Sequence, residues 1–426
     1  MTADSFPRML RLRQKFPVSP PLDLRAAVTQ ELAVIRDCFR PGARIVVAVG
    51  SRGITNLQAI VAAVLGFLKQ AGTLPFIVPA MGSHGGATAE GQTQLLTEYG
   101  ISEAQLGVPI HAAMDTRQIG TTADGTPVHF SEEALKADGI VLVNRVKPHT
   151  DFSGPIGSGL LKMTVVGLGK RTGATCFHAA ASRLGYEPVL RAVAPVALSA
   201  APILCGVAII ENQVHQTARI AVVRPEEFER REAELCAEAR QLLPRLPFDE
   251  IDLLIVDHLG KNISGTGMDP AVIGRSIHGY SLQHEGGHRP TPFVRRVFVR
   301  DLTPQTHGNA VGIGMADFTT SRLVRAIDHR VMTMNALTAL SLQGAKIPIH
   351  FETDREAIEQ ALISLALPNP AQAKVVRIAD TLSLELLEAS EALAETANRR
   401  EDLEPAGPPV EMAFDPDGNL APLADT

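Results

Sequence analysis

Short apolar segments that alternate with helical segments place the strongest constraint on the fold of this chain. The run "RIVVAVG" ends at Gly50, and a second run, "LPFIVPAM", follows after one helical segment. That segment, "NLQAIVAAVLGFLKQAG", has the apolar spacing of a helix and stops at a glycine. The alternation predicts a doubly wound α/β unit with a parallel sheet. Ligands of such units bind beyond the carboxyl ends of the strands, so residues that follow a strand are the first candidates for a site.

The length of the chain predicts more than one domain. At 426 residues it exceeds the size of most single hydrophobic cores. The expected fold class is α/β, with two α/β domains, mostly parallel sheets and an active-site cleft between the domains. The expected domains are residues 1–205, residues 206–400 and an acidic, proline-rich tail at 401–426.

Charge and composition favour a small-molecule partner over a nucleic acid or a membrane. The formal net charge is -6, Trp is absent and Tyr numbers only 3, so a basic, base-stacking surface is not expected. The 4 cysteines form no CxxC pair, which predicts thiols in a reducing cytoplasm. The apolar run 192–210 contains prolines and is predicted as a buried helix followed by a strand. We therefore expect a cytoplasmic protein.

Three ionisable side chains follow predicted strands. Arg52 lies in "VGSRGITN", His84 in "VPAMGSHGGAT" and His149 in "VKPHTDFSG". A lone histidine is commonly a structural hydrogen-bonding group. A glycine-rich loop that follows a buried strand is, however, typical of a binding site.

The segment "GSGLLKMTVVGLGKRTGATCFH" is predicted as a strand, a glycine-rich turn and the start of a helix. Gly167 and Gly169 begin a GxGxxxG pattern, which either contacts a phosphate through backbone amides or forms a plain tight turn. Lys162 has apolar neighbours, so its amino group is paired, deprotonated, covalently modified or extended to solvent at a strand end. His178 is either a metal ligand or a core histidine at a helix terminus.

Five motifs together resemble the nickel-pincer nucleotide-dependent lactate racemase family. In order along the chain they are "GSRGITN", "PAMGSHGGAT", "VKPHTDFSG", "GLLKM" and "FHAAA". Lys162 precedes His178 by sixteen positions (178 − 162), which is the spacing expected for that family. The resemblance is close in the N-terminal half and loose in the C-terminal half.

The resemblance implies an isomerase, a racemase or epimerase of a 2-hydroxy acid, that works by proton-coupled hydride transfer. Its cofactor would be a nickel-pincer nucleotide, a pyridinium mononucleotide whose thioamide and thiocarboxylate groups hold nickel. Cofactor-assembly enzymes would be its partners. Lys162 would be the attachment point, with Lys170 as an alternative, and His178 would bind the metal. Gly167 and Gly169 would contact the cofactor.

The same resemblance assigns roles around the substrate. His84 and His149 would be the two general bases, since the pKa of histidine lies near working pH. Arg52 would hold the substrate carboxylate. Two other classes remain open at this point: a nucleotide-dependent oxidoreductase with a diffusible cofactor, and a non-catalytic protein that binds a mononucleotide or an organic acid.

Overall fold

The computed structural model describes residues 6–18, 20–50, 53–149, 154–276 and 291–423. Its strands are β1 Met9–Gln14, β2 Arg44–Val49, β3 Leu74–Pro79, β4 Thr116–Thr121, β5 Pro127–Ser131, β6 Gly139–Arg145, β7 Ile203–Glu211, β8 Thr217–Val223, β9 Glu250–Leu259, β10 Phe293–Leu302, β11 Phe318–Thr320, β12 Ile349–Phe351, β13 Val375–Ile378, β14 Leu386–Ser390 and β15 Leu403–Pro405.

The helices are α1 Leu24–Ala33, α2 Leu57–Gln70, α3 Ala89–Glu98, α4 Glu103–Leu106, α5 Glu132–Leu135, α6 Leu160–Lys162, α7 Lys170–Leu184, α8 Tyr186–Ala200, α9 Phe228–Gln241, α10 Pro270–Ile273, α11 Ser321–Arg325, α12 His329–Thr338, α13 Asp354–Ile363 and α14 Ala394–Asn398. A π-helical turn, Met163–Gly167, lies between α6 and α7.

The chain divides into two compact units at other positions than those predicted. One unit is Val18–Leu243, and the other combines Met1–Pro17 with Pro244–Thr426. The first unit continues past residue 205 because β7 pairs with β6 and β8 pairs with β7. Within the predicted tail, β15 pairs with β1 and so joins the sheet of the second unit. Both units have the α/β character that the sequence predicts.

The unit Val18–Leu243 is built on a five-stranded sheet in the order β3-β2-β6-β7-β8. Strands β3, β2, β6 and β7 are parallel, and β8 is antiparallel to β7. Alternate residues of β2 belong to two different core clusters, Val46 and Ala48 to one, Ile45 and Val47 to the other. Both faces of the strand are therefore buried, which explains its continuous apolar sequence.

The apolar run 192–210 forms the end of α8 and most of β7, as predicted. Within the part of the chain that the structure describes, no helix combines the length and the apolarity that a membrane crossing requires. The 4 cysteines are free thiols, of which Cys205 and Cys236 are buried.

The strand predicted through Lys162 is wrong, because the segment is helical. Thr164, Val165 and Val166 suggested a strand through their β-branched side chains. In the fold the Thr164 hydroxyl donates to the Leu160 carbonyl at 2.9 Å, and the Leu168 N–H donates to the Met163 carbonyl at 2.8 Å. These bonds hold the residues in a wide helical turn, and such turns are frequent at functional sites.

The second unit contains an eight-stranded sheet in the order β12-β11-β10-β9-β13-β14-β1-β15. The first five strands of this order, from β12 through β13, are parallel to one another, and the remaining three pairings are antiparallel. Arg300 on β10 binds two buried carboxylates, that of Asp257 at 2.9 Å and that of Asp354 at 2.7 Å. The same guanidinium donates to the Leu420 carbonyl at 2.6 Å, so the C-terminal segment is held to the sheet by a buried charge.

Candidate active site

Lys162, His149 and His178 lie around one aromatic ring, that of Tyr186. The Lys162 Nζ lies 2.7 Å from His149 Nε2 and 5.5 Å from the centre of the Tyr186 ring. The His149 ring centre lies 4.5 Å from that of Tyr186, and the His178 ring centre lies 6.2 Å from it. All four side chains are partly exposed. The structure thus gathers three residues that the sequence singled out beside a fourth that it did not.

Local backbone features bring these side chains together. His149 follows the carboxyl end of β6, Lys162 ends α6 and His178 lies within α7. Between α7 and α8 the chain turns at Gly185, where φ is +88°, a value that favours glycine. The turn brings Tyr186 back against α7, where the buried Phe177 packs edge-on to its ring at 4.8 Å.

Two side chains hold the start of α6, the helix that contains Lys162. The Asn144 amide on β6 donates to the Gly159 carbonyl at 2.8 Å. The Leu161 N–H donates to the Glu232 carboxylate at 2.9 Å. A Cβ at Gly159 would lie 2.6 Å from that carboxylate, so glycine is required for the approach.

Glu232 is fully buried on α9, and its pKa is unusual. Burial raises the pKa of this carboxyl to about 7, against the opposing effect of the Leu161 and Leu160 backbone amides. Its second oxygen, Oε1, has no hydrogen-bond partner among the described residues. The helix that contains Lys162 is therefore hydrogen-bonded at its start to a carboxyl group that ionises near neutral pH.

His84 follows β3 in a loop that is fastened to the rest of the site by its backbone. The Ala80 N–H donates to the Val49 carbonyl at 2.8 Å, and the Gly82 N–H donates to the Gly167 carbonyl at 3.1 Å. The side chain of His84 is half-buried. The loop thus lies between the end of β2 and the π-helical turn that follows Lys162.

The sheet order relates His84 to His149. Each follows the carboxyl end of a parallel strand, β3 for His84 and β6 for His149, and β2 lies between these strands. Neighbouring strands are about 4.8 Å apart, so the two strand ends are separated by roughly 10 Å. That separation leaves room for a small molecule between groups that extend from the two strand ends.

Arg52 lies outside the described residues, but the loop immediately after it is well anchored. The Thr55 N–H donates to the Glu211 carboxylate at 2.7 Å, and Glu211 also pairs with Arg145. Asn56 donates to the Thr217 hydroxyl at 3.2 Å. These contacts fix the segment beyond β2 at the same sheet edge as His84 and His149.

Gly167 and Gly169 have packing reasons for lacking a side chain. A Cβ at Gly167 would lie 2.6 Å from the Ala80 carbonyl oxygen, and one at Gly169 would lie 2.4 Å from the Val165 carbonyl oxygen. Both residues are buried in the helical segment and not in a loop between strand and helix. Their predicted contact with a cofactor stays a prediction.

Lys170, the alternative attachment point, is fully buried. Its Nζ donates to the Pro79 carbonyl at 2.7 Å and to the Gln92 Oε1 at 3.2 Å. Burial lowers the pKa of this lysine to about 8. An amino group enclosed in this way has no space for a bulky adduct, whereas Lys162 is partly exposed beside His149.

Sequence reasoning did not identify Tyr186, Glu232 or Gln92. Glu232 lies four positions after Phe228 and three before Leu235, so helical spacing alone would have placed it on the buried face of α9. Tyr186 is one of only 3 tyrosines and directly follows a glycine at a helix end. Gln92 carries no comparable signal in the sequence.

The residue types around Tyr186 fit the group that the sequence resemblance implies. A partly exposed amine suits covalent attachment, and an imidazole on the neighbouring helix suits a borderline metal such as nickel. Among the described residues, no group of three or more His, Cys, Asp or Glu side chains is arranged to hold a metal. A metal held by one histidine and by a tethered group needs no such cluster.

The fold and the site define an α/β protein whose ionisable groups lie at the carboxyl ends of parallel strands. Residues 20–183 match the family of the lactate racemase N-terminal domain. A solved structure, the lactate racemase apoprotein from Thermoanaerobacterium thermosaccharolyticum, is similar over 88% of this chain and 99% of that chain, with 13% sequence identity and a TM-score of 0.49. No curated protein matches the chain.

The segment 20–183 is therefore similar to the lactate racemase N-terminal domain, and it lies within the unit Val18–Leu243. This match supports the resemblance that the five sequence motifs indicate, over residues 20–183.

Proposed function

We propose that this protein is a racemase or epimerase of a 2-hydroxy acid and that it depends on a nickel-pincer nucleotide attached to Lys162. The observation that supports this most directly is the grouping of Lys162, His149 and His178 around Tyr186. The segment that matches the lactate racemase N-terminal domain, residues 20–183, includes these three residues and ends before Tyr186.

The chemistry of the substrate explains the need for such a group. The carboxylate of a 2-hydroxy acid opposes removal of the Cα proton as H⁺, so inversion is easier by removal and return of a hydride. A nickel-pincer nucleotide, when bound, supplies an acceptor for that hydride. The protein's own task is to bind the carboxylate, to exclude water and to move the hydroxyl proton.

Two histidines can perform the proton transfer from opposite sides. In the proposed reaction, one neutral imidazole removes the hydroxyl proton as the hydride leaves Cα, and a keto acid forms. The keto acid turns over, and the other imidazole, protonated from the start, returns its proton to the oxygen from the opposite side as the hydride is returned to Cα. Histidine suits both steps because it can accept and donate near neutral pH. His149 and His84, at strand ends about 10 Å apart, are assigned these roles. Arg52, after the strand between them, is assigned to the carboxylate.

The proposal is tested by the site of modification and by the fate of the substrate hydrogen. Protein produced together with the cofactor-assembly enzymes should contain nickel and a mass adduct on the Lys162 peptide. Lys162→Met should lose the adduct, and Lys170→Met should retain it. Inverted product made from substrate deuterated at Cα should keep its label, because the hydride is returned internally.

Several outcomes would contradict the proposal. Racemase activity in protein with an unmodified Lys162 would show that the reaction needs no cofactor attached to this lysine. Saturable dependence on added NAD(P) would indicate an oxidoreductase with a diffusible cofactor. Binding of an organic acid with no turnover, unchanged in His84→Ala and His149→Ala, would indicate a binding protein.

A further inference from the structure

The buried ammonium of Lys170 connects three elements of the site. Lys170 is the first residue of α7, the helix that also contains His178. Its Nζ binds the carbonyl of Pro79, the last residue of β3, and the side-chain oxygen of Gln92 on α3. The lysine is fully buried, and both of its partners are uncharged.

The orientation of the Gln92 amide follows from this contact. An ammonium has only donors, so the amide must turn its oxygen toward Lys170 and its NH₂ group away. The NH₂ group donates to the Gly82 carbonyl at 3.0 Å and to the His84 carbonyl at 3.3 Å. Lys170 therefore fixes the amide, and the amide fixes the backbone on both sides of Ser83.

The same loop is also pressed closely against the start of α3. A Cβ at Gly85 would lie 2.5 Å from the backbone of Gly91, which directly precedes Gln92. Gly85 has a φ of +64°, a value that favours glycine. The loop has little freedom to shift as long as the Gln92 bonds are intact.

We propose that Lys170 and Gln92 are positioning residues for His84. The Lys170 ammonium orients the Gln92 amide, and that amide binds the Gly82 and His84 carbonyls, which sets the backbone of the loop. This inference rests on the proposed function for the role of His84 as a base. In this proposal the role of Lys170 is to position the His84 loop and not to attach the cofactor.

Hydrogen exchange of the full-length apoprotein tests the structural part without any activity. Lys170→Met removes the ammonium, and Gln92→Glu keeps an oxygen for Lys170 but removes both donors to the loop. Each variant should raise amide exchange in residues 82–88 by about tenfold, while β2 stays protected. The double variant should add little to either single change, since both interrupt one chain of bonds.

Kinetics of the loaded enzyme test the catalytic part. Each variant should lower kcat by about tenfold and change KM by less than about twofold, because the base is displaced while the carboxylate contact remains. Lys69→Met is the matched control. Lys69 donates to the Leu106 and Gly107 carbonyls, yet it is exposed near the carboxyl end of α2, so its loss should change neither measurement.

The outcomes separate this inference from the proposed function. Unchanged exchange in residues 82–88 of both variants would overturn the link, whatever the enzyme catalyses. Faster exchange with an unchanged kcat would overturn the positioning role. Absence of racemase activity in the loaded wild-type protein would overturn the proposed function, and exchange would still decide the link. If Lys170→Met fails to fold, Gln92→Glu alone decides, because it preserves the partner of Lys170.

Discussion

Replacement of Glu232 by Gln should remove a large pH dependence from the stability of the unit Val18–Leu243. The buried carboxyl has a pKa of about 7, compared with an ordinary value of 4.5. Because the folded protein binds this proton more tightly than the unfolded chain, the stabilisation is complete below pH 4.5 and is lost as the pH rises through 7. At about 1.36 kcal/mol per pH unit, the gap corresponds to roughly 3 kcal/mol.

Most of this change in unfolding free energy occurs at pH values at which unfolding can be measured. Between about pH 5 and about pH 8.5, wild-type protein should lose roughly 2.5 kcal/mol more unfolding free energy than Glu232→Gln. The amide of the variant can still accept the Leu161 N–H bond, but it does not ionise. Urea unfolding followed by tyrosine fluorescence measures the difference, since Tyr99 and Tyr186 both lie in this unit.

Glu234→Gln on the same helix is the control. Glu234 is exposed and pairs with Arg230 and Arg231, and exposed ion pairs contribute little to stability because solvent screens them. Its unfolding free energy should follow that of the wild type across the same pH range. If Glu232→Gln also runs parallel to the wild type, the Glu232 carboxyl does not titrate as the structure indicates.

Three further changes have defined outcomes. Tyr186→Ala should lower kcat/KM about tenfold and Tyr186→Phe less than about twofold, since the ring and not the hydroxyl supports the histidines; steady-state kinetics measure both. Gly85→Ala should destabilise the protein by several kcal/mol more than Gly86→Ala in urea unfolding, because both have a φ of +64° but only Gly85 would meet backbone atoms. Arg300→Leu should cost about 3 kcal/mol in the same assay, and the exposed Arg325→Leu less than about 1 kcal/mol. Equal costs within either stability pair would contradict the reasoning.

The parallel sheet and its strand-end residues could be predicted because their signals are local. Strand β2 is buried on both faces, so every residue of "IVVAV" reports the same environment. His84 and His149 can be recognised because each lies in the loop that follows such a strand. The roles of Lys162 and His178 follow from the resemblance to a known family, whose sixteen-residue spacing they match, and a resemblance needs no knowledge of the fold between them.

The remainder depends on contacts between distant segments. Glu232 reaches the start of α6 across 71 positions, and Lys170 reaches the end of β3 across 91. The local sequence around Glu232 or Lys170 contains no pattern that indicates its distant partner. The helical state of Thr164 is decided in the same way, since a hydroxyl bond to Leu160 offsets the low helix preference of the β-branched run.

The pairing of β1 with β14 and β15 has a consequence for the order of synthesis. Met9 pairs with Ser390, and Gln14 pairs with Leu403. On the ribosome, β1 therefore emerges long before either of its neighbours exists, while the whole unit Val18–Leu243 is translated in between. This inserted unit can fold first, while β1 stays unpaired until the segment that contains β14 and β15 has been translated.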